Sequence, residues 1–286
     1  MDRGYLPIFF FSGTGNTWWA ACRLAEALSA RGFAAEPLSI EKLTPAQVTE
    51  AADRAAILGL GYPIYGSDAP LVMQDFIRDL PPAATPKPAL VFATQAIWSG
   101  DGAYFMRREV EAKGYTLRWA VTFNMPCNVC LDMGLLFNLF FSSLKAQPQG
   151  ILKRVDILAE RVAQDKPWII GRSTLLSMGW MQRLPFRMTL SYWQSGILSV
   201  DPDRCTACGR CERLCPVGNI TLEAGLPAFG DRCNLCLRCF NYCPELAVKA
   251  FGKSFNAKWF GEQPYQGPTP DFRPEQLVGR GPGIGY

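Results

Sequence analysis

The sequence predicts an α/β doubly wound parallel five-stranded sheet, followed by a small α+β region that is rich in cysteine. In the first 166 residues, short apolar runs alternate with segments of helical periodicity, which is typical of β–α units around a parallel sheet. Nearer the C-terminus, eight of the eleven cysteines lie between Cys205 and Cys243, and the chain contains no histidine. Clustered cysteines without a secretion signal indicate metal binding and not disulfides.

The strand candidates are nearly continuously apolar, as expected for parallel strands that are buried on both faces. They are Leu6–Phe11, Phe33–Leu38, Ala55–Leu60, Ala89–Ala93 and Leu117–Phe123. Helical patterns follow at residues 17–31, 45–53, 70–80, 102–113 and 151–165. Gly32 and Gly114 stand where two of these helices would end, a position that favours glycine. Ligands of such sheets bind beyond the carboxyl ends of the strands.

A loop rich in glycine and hydroxyl groups separates the first strand candidate from the first helix. It comprises Ser12, Gly13, Thr14, Gly15, Asn16 and Thr17. Its glycines let the backbone fold around an anion, its hydroxyls can donate hydrogen bonds, and the following helix directs free N–H groups to the same point. The loop lacks the lysine of a Walker motif and the spacing of a dinucleotide fingerprint. A phosphate monoester held without a cationic side chain fits FMN; the alternative is a simple turn.

The same residues resemble the phosphate loop of the flavodoxin family, whose pattern is Ser/Thr-x-Thr-Gly-x-Thr. Ser12, Thr14, Gly15 and Thr17 match this pattern position by position. The resemblance implies a flavodoxin-like fold and two further loops around the flavin ring, after the third and fourth strands. The residues expected to contact FMN there are Pro63, Ile64, Tyr65, Gly66, Thr94, Gln95, Trp98, Ser99 and Gly100.

Two aromatic residues in these loops, Tyr65 and Trp98, offer faces on which a flavin ring could stack, and the glycines admit close approach of the backbone. Aromatic side chains also serve packing, so this alternative stays open for both residues. Met125 and Pro126, after the fifth strand, are expected to close the site from another side.

Two copies of one cysteine motif lie 28 residues apart, each with the spacing Cys-x2-Cys-x2-Cys-x3-Cys-Pro. The first copy comprises Cys205, Cys208, Cys211 and Cys215, and the second comprises Cys233, Cys236, Cys239 and Cys243. Two-residue spacings allow three thiolates to surround one face of an iron–sulfur cluster. Zinc is the competing metal, but zinc modules separate their cysteine pairs more widely and often use histidine.

This segment resembles the bacterial two-cluster ferredoxins, in which the fourth cysteine of each motif binds the other cluster. The resemblance implies two [4Fe–4S] clusters with crossed ligands. Cys205, Cys208, Cys211 and Cys243 would bind one cluster, and Cys233, Cys236, Cys239 and Cys215 would bind the other. Over about residues 6–126 and 200–252, the chain is similar to flavodoxin–ferredoxin fusion electron carriers.

We therefore expect four segments: a flavodoxin-like FMN-binding domain at 1–166, an apolar connector at 167–200, a two-cluster domain at 201–252 and an extended Gly/Pro-rich tail at 253–286. The resemblance implies an electron-transfer protein that relays electrons between the clusters and FMN, and so between redox partner proteins. Electron transfer does not need the histidine that this chain lacks. A flavin-dependent reductase acting on a small acceptor is the alternative, and a redox sensor is a third. No nucleic-acid partner is expected.

Two segments fit none of these patterns. Residues 168–200 carry only three charged residues, all arginine, among tryptophan and aliphatic residues, which predicts either contact with a membrane surface or packing inside the protein or against a partner. Cys127 and Cys130 form either a redox dithiol or inert packing thiols. No run of 18 apolar residues occurs, so we expect no transmembrane helix and a cytoplasmic protein, with peripheral membrane contact through 168–200 left open.

Overall fold

The structure, a computed structural model, describes residues 3–126, 148–173, 177–255, 257 and 261–279. A parallel sheet with the strand order β2-β1-β3-β4-β5-β6 lies at its centre. The strands are β1 (Tyr5–Phe10), β2 (Ala34–Ser39), β3 (Leu58–Pro63), β4 (Lys87–Gln95), β5 (Tyr115–Asn124) and β6 (Trp168–Ile169). The order of the first five is that of the flavodoxin-like doubly wound fold, which confirms the predicted fold class.

The sheet differs from the prediction at one edge and at several strand boundaries, of which that of β3 is shifted furthest. β6 is a two-residue strand that pairs with β5, and so short a strand has no periodicity that a sequence pattern could reveal. β3 begins at Leu58, whereas the apolar run begins at Ala55, because Ala55 forms only an isolated bridge with Tyr5.

Helices cover both faces of the sheet: α1 (Asn16–Ser29), α2 (Pro45–Arg54), α3 (Leu71–Asp79), α4 (Arg107–Ala112) and α5 (Pro148–Ala163). Alternate side chains of β1 enter two separate cores, since neighbouring residues of a strand point to opposite faces. Ile8 and Phe10 pack in the core that α1 and α5 cover, while Phe9 and Phe11 pack in the core that α2, α3 and α4 cover.

A long helix, Trp180–Gly196, joins the sheet to the cysteine-rich segment, and we call it the connector helix. Its Arg183 is buried and donates hydrogen bonds to the Ser67 carbonyl and the Asp101 carboxylate. Its Arg187 forms an ion pair with Asp68 at 2.6 Å. These two arginines therefore serve packing inside the protein, and they give the membrane interpretation of residues 168–200 no support. In the described part of the chain, no helix combines the length and apolar character needed to cross a membrane.

The cysteine-rich segment consists of two small antiparallel ladders and two one-turn helices. Leu198–Val200 pairs with Val248–Ala250, and Ile220–Glu223 pairs with Leu226–Phe229. The helices, Arg210–Arg213 and Arg238–Asn241, begin at equivalent positions of the two cysteine motifs. The internal repeat seen in the sequence is therefore also a structural repeat. Cys127 and Cys130, by contrast, lie outside the described residues.

The described part of the tail, 261–279, is irregular apart from one turn of 3₁₀ helix at Pro274–Gln276, and it folds back onto the sheet. Phe272 and Leu277 are fully buried in the core beside α1. The ring of Phe272 lies 5.0 Å from that of Trp18, and Ser39 donates a hydrogen bond to the Leu277 carbonyl. The extended tail predicted from composition is thus part of the core.

Arg183→Met is expected to lower the free energy of unfolding by about 3–5 kcal/mol, because it leaves the buried Asp101 carboxylate without its cation. Arg78→Met is the control: its ion pair with Asp75 lies at the surface, and its loss should cost less than about 1 kcal/mol. Urea unfolding of the full chain, followed by circular dichroism under anaerobic conditions, measures both. Equal effects of the two substitutions would show that Arg183 does not anchor the connector helix.

Candidate functional site

A cavity opens at the carboxyl ends of β1, β3, β4 and β5, where doubly wound sheets bind their ligands. Each of the four strands contributes the loop that follows it. The lining residues are Ser12, Gly13, Thr14, Asn16 and Thr17, then Pro63, Ile64 and Tyr65, then Thr94, Gln95 and Ala96, then Met125 and Pro126. The second cysteine motif completes the wall with Leu235, Cys236, Leu237 and Asn241. The loop after β1 and the second cysteine motif, which are distant in sequence, therefore meet at one site.

The loop after β1 (residues 12–17), which we call the phosphate loop, has the features of an anion site. Gly15 is the N-cap of α1 at φ +106°, and no side chain caps the helix, so the first-turn N–H groups of α1 are available to a ligand. The buried hydroxyls of Thr17 and Thr94 lie 2.8 Å apart and join two of the loops. Within the described residues, the buried Oδ1 of Asn16 has no hydrogen-bond partner. This oxygen can therefore accept a hydrogen bond from a bound ligand.

Tyr65 stands between this cavity and a second one on its other side. A Cβ added to Gly13 would lie 2.6 Å from the Tyr65 hydroxyl and 3.0 Å from the Cys236 carbonyl oxygen, so only glycine allows this contact without displacing a neighbour. Burial raises the pKa of Tyr65 well above its usual value, and the nearby Cys236 adds to this. The Tyr65 hydroxyl is therefore a neutral donor beside the phosphate loop.

Five of the residues expected to bind the cofactor do not line the cavity: Gly15, Gly66, Trp98, Ser99 and Gly100. Trp98 is 47% exposed, and its stacking role stays a prediction. Gly66 and Gly100 do allow close approach to their backbone, but the groups that approach them belong to this protein: the ring of Phe186 in the connector helix at Gly66, and the Ser177 carbonyl at Gly100. Ser99 donates a hydrogen bond to the side chain of Gln95, which does line the cavity.

The eight motif cysteines surround two further cavities and are all free thiols. Cys205, Cys208, Cys211 and Cys243 line one cavity, and Cys215, Cys233, Cys236 and Cys239 line the other. These are the two crossed sets that the ferredoxin resemblance implies. Across the ranges given above, no three His, Cys, Asp or Glu side chains converge closely enough for a single metal ion. In a cubane cluster, iron and sulfide lie between the thiolates, so its ligands need a wider spacing.

The backbone around the two cavities repeats as closely as the cysteines do. Three pairs of residues 28 positions apart adopt the same left-handed conformation: Ala207 and Leu235, Gly209 and Leu237, and Gly218 and Leu246. This conformation is costly for alanine and leucine, so the surrounding contacts hold the loops in place. Backbone N–H groups four residues further along donate to Cys215 at 3.2 Å and to Cys243 at 3.3 Å, again at equivalent positions. Hydrogen bonds to sulfur are typical of cluster sites.

Burial also sets the chemistry of these thiols. It raises the pKa of Cys233 to about 11 and that of Cys236 to about 12. Both thiols are therefore protonated at neutral pH, unless a bound cation stabilises their thiolates. Iron supplies that charge, so the donor set fits an iron–sulfur cluster.

Sequence reasoning missed one residue of this site, Arg238. It lies between Cys236 and Cys239 in sequence, is fully buried, and donates hydrogen bonds to two carbonyl groups of the phosphate loop. No local signal distinguishes it from Arg210, which has the same place in the first motif but pairs with Glu275 near the surface. A cation therefore does lie behind a phosphate loop that contains no lysine or arginine.

Comparison with known proteins gives one family match, to the 4Fe-4S binding domain, over residues 198–221. This stretch contains the first cysteine motif and stops before the second. No curated protein matches the chain.

Similar solved structures include a flavodiiron core from Synechocystis (18% identity, 58% of this chain and 36% of that chain, TM-score 0.44). A second is the rubredoxin oxygen:oxidoreductase from Desulfovibrio gigas, with 15% identity over 58% of this chain and 36% of that chain and a TM-score of 0.45. A third is a flavodoxin from Megasphaera elsdenii, with 28% identity over 43% of this chain and 90% of that chain and a TM-score of 0.37. The chain thus spans 36% of the length of each of the first two proteins.

The chain therefore combines a flavodoxin-like doubly wound sheet with a segment that matches the 4Fe-4S binding domain, and this combination supports a redox role in electron transfer.

Gly15→Ala is expected to destabilise the protein by roughly 2 kcal/mol or more, since alanine is strained at this φ and its Cβ would lie 2.6 Å from Pro268. Gly150→Ala in α5 is the matched control. Nothing lies within 4 Å of its Cβ, and alanine favours a helix by up to about 1 kcal/mol. Denaturant titration measures both. A Gly15→Ala variant as stable as Gly150→Ala would contradict the geometry of the phosphate loop.

Proposed function

We propose that this protein is an electron carrier that binds one FMN and two [4Fe–4S] clusters and passes electrons between redox partner proteins. Cys236 carries the proposal, because it lines both the cavity at the phosphate loop and one of the two cysteine cavities. The proposed flavin site and the proposed site of one cluster therefore share a wall. Adjacent sites are what electron exchange between the two cofactors requires.

The residues of the main cavity fit an FMN. The hydroxyls of Ser12, Thr14 and Thr17 and the uncapped N-terminus of α1 would bind the phosphate. Pro63, Ile64, Tyr65, Thr94 and Gln95 would surround the rest of the molecule, with Met125 and Pro126 closing the far side. When bound, FMN exchanges one or two electrons, and each cluster exchanges one. Residues 1–166 would then form the flavin domain and 201–252 the cluster domain, with 167–200 as connector and 253–286 as tail.

The exposure of the cysteines suggests an order for the sites. Cys208, in the first set, is exposed, whereas Cys233 and Cys239, in the second set, are buried. The first set is therefore the one that a partner protein can approach from solvent. The second set adjoins the main cavity, because Cys236 lines both, whereas none of the first set lines the main cavity. Electrons would pass from the surface through two cysteine sites to the flavin site, or in the reverse direction.

A reductase that acts on a small acceptor is the second candidate. A cavity on the other side of Tyr65 favours it, lined by Asp68, Gln74, Phe186, Arg187 and Asn234. Its polar groups could orient a small molecule within reach of the flavin site. Trp98 lines neither cavity, and residues 127–145 lie outside the described ranges. Steady turnover of a small acceptor, undiminished when partner proteins are absent, would favour the reductase.

The protein prepared anaerobically is expected to contain about eight iron atoms, about eight sulfides and one FMN per chain, since each cubane holds four of each inorganic atom. Iron and sulfide assays with flavin quantification after acid release measure this directly. A holoprotein that retains both clusters but takes up no FMN would exclude the relay. About four iron atoms per chain would exclude the second cluster.

Cys208→Ala and Cys236→Ala form a matched pair, because the two cysteines occupy equivalent positions of the repeat. Each substitution should remove about half of the iron. Only Cys236→Ala should also shift the flavin midpoint potential to less negative values, on the order of tens of millivolts, because it removes a negatively charged cluster beside the flavin site. Anaerobic redox titration of both variants measures the shift. Equal shifts in the two variants would contradict the shared wall.

A further inference from the structure

Three consecutive carbonyl groups of the phosphate loop accept hydrogen bonds from the second cysteine motif. Arg238 donates to the Ser12 carbonyl at 2.7 Å and to the Gly13 carbonyl at 2.9 Å. Tyr242 donates its hydroxyl hydrogen to the Thr14 carbonyl at 2.7 Å. All three bonds are buried, so the cysteine-rich segment directly supports the backbone of the phosphate loop.

The guanidinium group of Arg238 has its five N–H donors fully engaged. Besides the two loop carbonyls, it binds both carboxylate oxygens of Glu41, at 2.8 and 2.7 Å, and the Leu214 carbonyl at 3.0 Å. Leu214 lies between two cysteines of the first motif, and Glu41 follows β2. Arg238 thus joins both cysteine motifs, the phosphate loop and the turn after β2 at one point.

These bonds fix the direction in which the loop presents its amide groups. In a trans peptide unit the C=O and the following N–H point in opposite directions, and the described residues contain no cis peptide bond. Arg238 does not line the main cavity, whereas Gly13 and Thr14 do. Carbonyls held towards Arg238 therefore turn the N–H groups of Gly13 and Thr14 away from it, to the side that faces the cavity. Successive N–H groups directed to one side form an anion-binding concavity.

The charge of Arg238 is already balanced. Its guanidinium group contacts both carboxylate oxygens of Glu41, so the two opposite charges lie side by side. The pair with Glu41 has no net charge, and both side chains are buried. Because Glu41 offsets the charge of Arg238, we assign the effect of Arg238 on an anion to the geometry that it gives the loop.

We propose that Arg238 and Tyr242 are positioning residues that shape the phosphate loop for the FMN phosphate, so that flavin affinity depends on the second cysteine motif. This inference rests on the proposed binding of FMN in the main cavity. It makes FMN binding and the folding of residues 233–243 around a cluster mutually dependent, because a linkage between two sites acts in both directions. The cluster site would then be a structural requirement for tight flavin binding as well as an electron donor or acceptor.

The internal repeat supplies a matched control. Arg210 has the same position in the first motif as Arg238 in the second, and its neighbours are also cluster cysteines. Its side chain is partly exposed and pairs with Glu275 of the tail at 3.0 Å. Arg210→Met therefore reproduces the loss of an arginine beside a cluster site without touching the phosphate loop.

The test is flavin titration of the full chain, freed of flavin but with its clusters intact, followed by quenching of flavin fluorescence. FMN is compared with riboflavin, which lacks the phosphate. Arg238→Met is expected to weaken FMN binding roughly tenfold or more, because two loop carbonyls lose their donors, and to change riboflavin binding less than about twofold. Arg210→Met should change neither. A merely structural role of Arg238 would weaken both ligands alike.

The iron content of every variant is measured. If Arg238→Met fails to fold or loses iron, Tyr242→Phe still tests the inference. It removes one hydrogen bond, to the Thr14 carbonyl, and should weaken FMN binding roughly threefold to tenfold with riboflavin unchanged. Unchanged FMN affinity in the folded variants, or equal losses for FMN and riboflavin, would overturn the inference and leave the proposed function standing. A wild-type chain that binds no FMN would overturn both.

Discussion

The buried contact between Arg238 and the phosphate loop is the constraint on which the arrangement of this protein depends. A guanidinium group without solvent contact must have every donor satisfied, and here the five partners come from three separate parts of the chain. The doubly wound sheet sets the position of the phosphate loop, and the cysteine repeat sets the position of Arg238. Neither part can shift relative to the other without leaving a buried charge unpaired.

The connector helix secures the opposite side of the same arrangement. Arg183 and Arg187 pair with the buried carboxylates of Asp101 and Asp68, and Phe186 packs against Gly66. The loops after β3 and β4 are therefore held from outside by the connector, while the phosphate loop is held from behind by the second cysteine motif. The main cavity lies between these two supports. Its shape depends on long-range contacts as much as on the sheet that carries it.

The features that the sequence predicts correctly are those with a local signal. Apolar runs locate the strands, because parallel strands are buried on both faces. The resemblance of the cysteine motifs to two-cluster ferredoxins implies the two crossed sets of four cysteines that line the two cavities. Arg238 and Arg210 have equivalent local sequences, and only the tertiary contact with Glu41 makes one of them central. The close neighbours of Gly66 and Gly100 are likewise distant in sequence: Phe186 of the connector helix lies beside Gly66, and Ser177 and Gly179, just before that helix, lie beside Gly100. Phe272 lies in a tail that is predicted to be extended from its Gly/Pro-rich composition, and composition gives no information about contacts with a core far away in sequence.

The tail that packs Phe272 and Leu277 beside α1 has a consequence for biosynthesis. During translation the strands of the sheet leave the ribosome well before these two residues do, so the groove beside Gly15 is open to solvent until Pro268 and Phe272 have emerged. A polypeptide that stops before Phe272 would leave Trp18 and Gly15 without these neighbours and one side of the core uncovered.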